Sequence, residues 1–285
     1  MTATGGLGRT SDGAVAKVAR RVVANAMGAV ALLARSSRVP AARRRSRAGF
    51  VAVWTAIAIV VTGATMLLVD PSEIWFHRLW SIAALKVFAT ITDFGKSDWF
   101  LVPTAFVLVV IAVLASPTLG RTAYRVIVTI AIRVGFVFCA VALPSLFVTI
   151  VKRLIGRARP PLFNQGGALD FLPFSWRVEY ASLPSGHATT AFAAAIAIGA
   201  LFPRARLAMW VYAGVIALSR VVLAAHYPSD VVAGAFVGAA GALLVRHWFA
   251  ARRLGFAVGS DGAAHALPGP SWSRIKRVAG RAFGQ

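Results

Sequence analysis

Lys152-Arg153-Leu154-Ile155-Gly156-Arg157-Ala158-Arg159-Pro160 is the stretch on which the reading of this chain turns. It closes a long apolar run that begins near residue 123 and holds Arg133 and Pro144 in its interior. The run exceeds the ~20 residues that a helix needs to cross the hydrocarbon of a bilayer. A membrane span therefore ends in a knot of cations. Two further islands stand in the same relation to apolar segments. Pro184-Ser185-Gly186-His187 opens one, and Ser219-Arg220 lies near the end of the next, with His226 and Asp230 following where a last run starts. Backbone groups inside lipid must be satisfied within their own segment, so these runs are helices rather than strands.

Composition agrees. Of 285 residues, 58% are hydrophobic and only 14% are charged, too little polar surface for a soluble domain of this length. The expected fold class is all-α: a polytopic membrane protein of six transmembrane helices in a bundle. The spans are expected at about 50–69, 99–115, 123–151, 188–202, 205–225 and 230–248. The single cysteine, Cys139, excludes an intramolecular disulfide and a Cys-rich metal site, and reads as a small core residue. Arg133 reads as a ligand-pathway residue or as a side chain snorkelling to headgroups, and Pro144 as a kink.

The net charge of +22 is unevenly spread. Ten cations fall in residues 1–48 against Asp12 alone, and six from Arg252 onward against Asp261 alone. Basic arms beside membrane spans stay cytoplasmic and touch anionic lipid headgroups, so no nucleic-acid partner is expected. This divides the chain into a basic arm (1–48), a membrane domain (49–250) and a basic tail (251–285). Arginines before the first span, between the second and third, between the fourth and fifth, and after the sixth would all lie on one side. The three islands would lie on the other, with both termini cytoplasmic. No cleavable signal peptide is evident, since the amino-terminal region is basic for too long. The stretch 22–34 is too short to span, and reads as an interfacial helix or as partial disorder.

Between the first two spans, Asp70-Pro71-Ser72-Glu73 has the form of a helix start, with Asp70 as N-cap and Pro71 at the first helical position. The mixed apolar and polar residues that follow suit an interfacial helix, ended by a turn at Thr92-Asp93-Phe94-Gly95. It reads either as a gate for lipid or as packing, and His77 as a surface histidine. The loop 161–182 is long and aromatic, which marks it as a cover for a site. Asp170, Arg177 and Glu179 in it bear on specificity or on solubility alone. Arg153 and Arg157 read as solvated loop cations.

The islands hold what phosphate chemistry needs. Lys152, Arg159 and Arg220 supply fixed positive charge, and arginine forks match phosphate oxygens. Ser185 and the Gly186 N–H add donors where a helix begins, a place that favours anions. Two histidines, His187 and His226, stand among them, with Asp230 four residues after His226. Asp230 reads as an orienter of that imidazole, as a helix cap, or as both.

The series Lys-x6-Arg-Pro, Pro-Ser-Gly-His and Ser-Arg-x5-His-x3-Asp resembles the type-2 phosphatidic acid phosphatase superfamily, the lipid phosphate phosphatases, in their bacterial membrane branch. The resemblance covers about residues 50–250, and every defining position is filled. It implies that His226 is the nucleophile, that His187 is the general acid and then the base, and that Asp230 orients His226. It implies phosphate binding by Lys152, Arg159, Ser185, Gly186 and Arg220. The expected activity is hydrolysis of lipid phosphate monoesters or pyrophosphates through a phosphohistidine, with no cofactor and no metal. Undecaprenyl pyrophosphate, phosphatidylglycerophosphate, phosphatidic acid and lipid A are candidate substrates, at the outer face of a bacterial plasma membrane. Two alternatives stand beside it: a lipid-to-lipid phosphotransferase using the same site, and a non-enzymatic lipid-binding protein or transporter. The related vanadium haloperoxidases share the motifs but are soluble, which this hydrophobicity opposes. The oligomeric state is open.

Overall fold

The structure, a computed structural model, describes residues 7–39, 41–72, 79–116 and 119–282. The helices used below are α1 (Leu7–Ala34), α2 (Ala41–Leu68), α3 (Ile82–Asp93), α4 (Asp98–Leu114), α5 (Arg121–Ile155), α6 (Gly186–Leu201), α7 (Arg206–Val222), α8 (Pro228–Ala251) and α9 (Trp272–Ala282). Among the described residues, five stretches are long and apolar enough to cross a membrane: Ala48–Ser72, Ile82–Leu114, Arg121–Ile155, Pro203–Val222 and Pro228–Ala251. The chain is a helical membrane protein.

One compact unit holds the described residues of 1–38, 103–135 and 248–285. Here α1 runs past the expected 22–34. Its Asn25 amide donates to the carbonyls of Ala112 (2.8 Å) and Ala115 (2.9 Å). The tail departs from the all-α expectation. Strands β1 (Phe256–Val258) and β2 (Ala264–Ala266) pair antiparallel, with Phe256 opposite Ala266. Their turn is closed by Gly259 N–H donating to the Ala263 carbonyl, and by Asp261 accepting from Ala263 N–H. Arg133 donates to Leu267 O at 2.7 Å, so the tail binds this intramembrane cation.

The other unit spans 39–102 and 136–247. Helix α6 is its interior helix. Ala188, Ala191, Ala193, Ala194, Ala195 and Ala197 are all buried, so a helix too short for ordinary bilayer thickness is covered by its neighbours. It packs against α7, where Ala191, Ala195, Ala213 and Ile216 form a buried cluster. Against α8 it packs backbone to backbone. A Cβ at Gly234 would lie 2.5 Å from Ser185 O, and one at Gly238 would collide with Thr189 O. Small residues at a helix crossing permit this approach. It seats the start of α8 beside the start of α6, and Ser185 N–H donates to Asp230 O at 2.9 Å.

The region after the first span differs from expectation. Asp70 begins a 3₁₀ turn and is fully buried, held by partners distant in sequence rather than acting as a free helix cap. Residues 73–78, with His77, lie outside the described residues. The next helix, α3, is capped by Ser81, whose hydroxyl accepts from Ala84 N–H. It ends at Asp93, at the expected turn, where Phe94 and Gly95 N–H donate back to Ile91 and Thr92 carbonyls. Pro144 lies inside the continuous α5, and its ring would touch a Cβ at Gly241, so it serves packing against α8.

Candidate active site

The site residues come from helix ends. Lys152 lies in the last turn of α5, Ser185 and His187 at the start of α6, Arg220 in the last turn of α7, and Asp230 in the first turn of α8. His226 sits in the turn between α7 and α8. The Arg clusters near Arg121, Arg206 and Arg246 stand at the opposite ends of these helices.

Arg159 is placed by the loop that the sequence marked as a cover. Gly156 leaves α5 at φ +63°, a conformation only glycine adopts freely, and a Cβ there would collide with Leu172 O. The chain then pairs with the loop. Ala158 N–H donates to Asp170 O (2.9 Å), Leu172 N–H to Gly156 O (2.7 Å) and Arg159 N–H to Glu179 O (2.9 Å). Arg153 braces the same loop, donating to Trp176 O (2.7 Å) and Arg177 O (3.0 Å).

All eight expected residues lie in one unit, and the charged ones are within electrostatic reach of one another. His187 faces Arg220, His226, Lys96 and Lys152, while Arg159 faces both Lys152 and Arg220. Lys96, from the turn after α3, is ion-paired with Asp93 at 2.8 Å and acts on His187 only through its charge. Arg220 donates to Thr92 Oγ1 at 2.7 Å. Yet Ser185 Oγ, Arg159 Nε and Arg220 Nε are buried without a hydrogen-bond partner among the described residues. A Cβ at Gly186 would meet nothing within 4 Å, so there is open space beside this residue. Buried polar groups are ordinarily paired, so each of these three atoms calls for a partner.

His226 is 3% exposed, and its Nδ1 lies 3.7 Å from Asp230 Oδ2, within ion-pair reach but beyond hydrogen-bond length. Burial pushes the His226 imidazole below its ordinary value, with the Asp230 carboxylate opposing. The ring is therefore neutral at neutral pH, as a nitrogen nucleophile must be.

Sequence reasoning misjudged Arg157. It is not a solvated cation but is fully buried. It donates to Asp70 Oδ2 (2.7 Å), Asp230 Oδ1 (2.6 Å), Ser229 Oγ (2.7 Å) and Ala168 O (2.7 Å). Ser182 Oγ and Tyr227 N–H donate to Asp230 Oδ2 at 2.5 and 3.0 Å. The one available signal was an acid, Asp70, set at the end of an apolar run. Among the described residues, no group of three or more His, Cys, Asp or Glu side chains is placed to hold a metal ion.

The pattern of the PAP2 superfamily matches residues 133–254. A lipid A 1-phosphatase from Rhizobium johnstonii is 36% identical over 181 residues, covering 60% of this chain and 70% of that protein. The chain belongs to the PAP2 superfamily. A second lipid A 1-phosphatase, from Rhizobium etli, is 35% identical over 181 residues, covering 60% of this chain and 74% of that one. A transmembrane PAP2 type phosphatidylglycerolphosphate phosphatase from Bacillus subtilis superposes with a TM-score of 0.47 at 18% identity, covering 69% of this chain and 94% of that one. All eight expected site residues fall inside the PAP2 match, whereas Asp70 and Thr92 fall outside it.

Proposed function

We infer that this PAP2 protein is a membrane phosphatase that removes phosphate from a lipid through a phosphohistidine on His226. One observation carries the reading: the buried, unpartnered Ser185 Oγ, Arg159 Nε and Arg220 Nε beside the open space at Gly186. A phosphate monoester supplies the acceptor oxygens and negative charge that these groups lack.

In the first step a His226 ring nitrogen attacks phosphorus, and the ester P–O bond breaks. We assign the remaining ring proton to Nδ1, facing Asp230, which leaves Nε2 to attack. His187, protonated once the bound phosphate offsets its cationic neighbours, gives a proton to the departing oxygen. In the second step His187 takes a proton from water, the new P–O bond forms and the P–N bond breaks. Lys152, Arg159 and Arg220 stabilise charge on the equatorial oxygens in both steps. The residues supply every charge this scheme needs, so the reaction proceeds without metal.

The favoured substrate is the 1-phosphate of lipid A, because both relatives carry that name and each aligns over 181 residues. Six spans, with α6 as the short fourth, put the catalytic helix ends on the outer face of a bacterial plasma membrane. The Arg clusters and both termini are then cytoplasmic, and the basic arm and tail meet anionic headgroups.

The test is phosphate release by purified protein in detergent. The panel is lipid A, phosphatidic acid, phosphatidylglycerophosphate and undecaprenyl pyrophosphate, with chelator present. Release from lipid A at the highest kcat/KM is expected. Release from none of the four contradicts the reading, and transfer of phosphate to a second lipid in place of water identifies a phosphotransferase. Activity lost in chelator and restored by a divalent ion overturns metal independence. Cysteines introduced at 164–176 should react with an impermeant reagent from outside, and labelling only from the cytoplasmic side overturns the topology.

A further inference from the structure

Arg157 and Asp70 form a closed network under the nucleophile. Both side chains have no exposed surface. One arm of the Arg157 guanidinium reaches Asp230 Oδ1 and Ser229 Oγ, the other reaches Asp70 Oδ2 and Ala168 O, and Nε also donates to Ala168 O. Asp70 in turn accepts from Ser229 N–H (3.0 Å) and from the Ser229 hydroxyl. The guanidinium lies over the Tyr227 ring at 4.3 Å. The pair thus anchors this turn at Ser229 and Asp230, beside the contacts that Ser182, Ser185 and Arg220 make to it.

The geometry leaves Asp230 with divided duties. Oδ1 is taken by Arg157, while Oδ2 takes Ser182 and Tyr227 N–H and is the oxygen nearest His226 Nδ1. The carboxylate cannot rotate without breaking both sets. The charges divide as well. One guanidinium is shared by two carboxylates, so the buried cluster is short of one positive charge. A cationic imidazole at 226, as in a phosphohistidine, supplies it. A buried charge is tolerated only when paired, so the cluster favours that state.

We propose that Asp70 and Arg157 are a positioning pair that sets the orientation and basicity of His226 through Asp230. The inference rests on the reading of His226 as the attacking group. The pair joins the end of the first span to the nucleophile's turn, and Asp70 lies outside the stretch that matches the PAP2 pattern. Other charged groups facing His226 are Arg220 from α7, Arg159 from the loop after α5, and His187 from α6. They oppose a positive charge on the ring, whereas the Asp70–Arg157–Asp230 cluster favours one. The two single changes therefore act with opposite sign. Asp70→Asn leaves Arg157 undivided on Asp230, weakens the hold of Asp230 on the imidazole proton, and makes His226 a weaker base. Arg157→Gln frees Asp230 and makes His226 a stronger base.

The experiment pairs kinetics with imidazole NMR on the full-length protein in detergent, using an aryl phosphate as substrate. For Asp70→Asn we expect kcat to fall about tenfold with KM within twofold, the acid limb of kcat/KM to move to lower pH, and the His226 resonance to titrate lower. For Arg157→Gln the limb and the titration move to higher pH. Ser229→Ala, which leaves no charge unpaired, should lower kcat severalfold with KM unchanged, and it decides the matter if the charge variants fail to fold. Movement of both variants in one direction, a loss carried wholly by KM, or an unchanged kcat in a folded Ser229→Ala overturns the pairing. A wild type that turns over nothing refutes the phosphatase reading, while the NMR titration still decides this one.

Discussion

Two polar clusters lie side by side in a protein otherwise built from apolar helices, and they are in opposite condition. The Asp70–Arg157–Ser229–Asp230 cluster is buried and its donors and acceptors are matched to one another. The cradle of Lys152, Arg159, Ser185 and Arg220 is half-buried to buried, and like charges crowd there with donor atoms left over. The first cluster is finished without a ligand and serves geometry. The second, on the function proposed above, is completed by an anion. The contrast separates residues that hold the site from residues that use it, though both sets are buried and charged.

The comparison breaks most sharply at the arginines. Arg220→Ala or Arg159→Ala removes a donor aimed at transferring phosphate and should lower kcat/KM by about 10²–10³. Thermal stability should hold or rise, because repulsion is relieved. Arg157→Gln should do the reverse in stability, losing about 3–5 kcal/mol by leaving two buried carboxylates uncompensated. Equal stability losses for all three arginines, measured by thermal unfolding in detergent, would erase the distinction.

Ser185→Ala sharpens it. Its hydroxyl caps no helix N–H and has no protein partner among the described residues, so removal should leave stability unchanged. Activity should fall about tenfold, the worth of one hydrogen bond to a charged group. Ser182→Ala, whose hydroxyl donates to buried Asp230, should cost stability as well. Unfolding curves beside kcat/KM for the pair decide this.

The smallest effect is in pH. His226 titrates below its ordinary value of 6.5 because burial disfavours the cation. The acid limb of kcat/KM for the free enzyme should then lie below pH 6.5. Stability follows with a known sign. As pH falls below ~6.5 the unfolded chain binds a proton at this position before the folded chain does, so this contribution to stability is lost with falling pH. An acid limb above pH 6.5 that vanishes in a variant lacking His226 would contradict the assignment.

Much of the cradle was legible because each of its residues sits at the end of an apolar run, where a charge stands out. The helical membrane class was legible from the same runs. The network under His226 was not. Arg157 stands two residues from Arg159 in a loop rich in cations, and nothing local separates a paired arginine from a solvated one. Only the turn at Gly156, and the return of the loop at Asp170 and Leu172, carry it inward. Asp70 was read from its local cap pattern, while its partners lie 87 and 159 residues away. The tail hairpin escaped notice because its strands have three residues each, too short for an alternating pattern to register.

The central claim is that phosphate passes through His226, and rapid-quench labelling with phosphate-labelled lipid A or aryl phosphate tests it most directly. An acid-labile label on His226 is expected in the wild type. It should be absent from His226→Ala, and should persist or accumulate in His187→Ala with the aryl substrate, whose leaving group needs little protonation. Label retained on His226→Ala, or a His187→Ala adduct that maps to any residue other than His226, would contradict it.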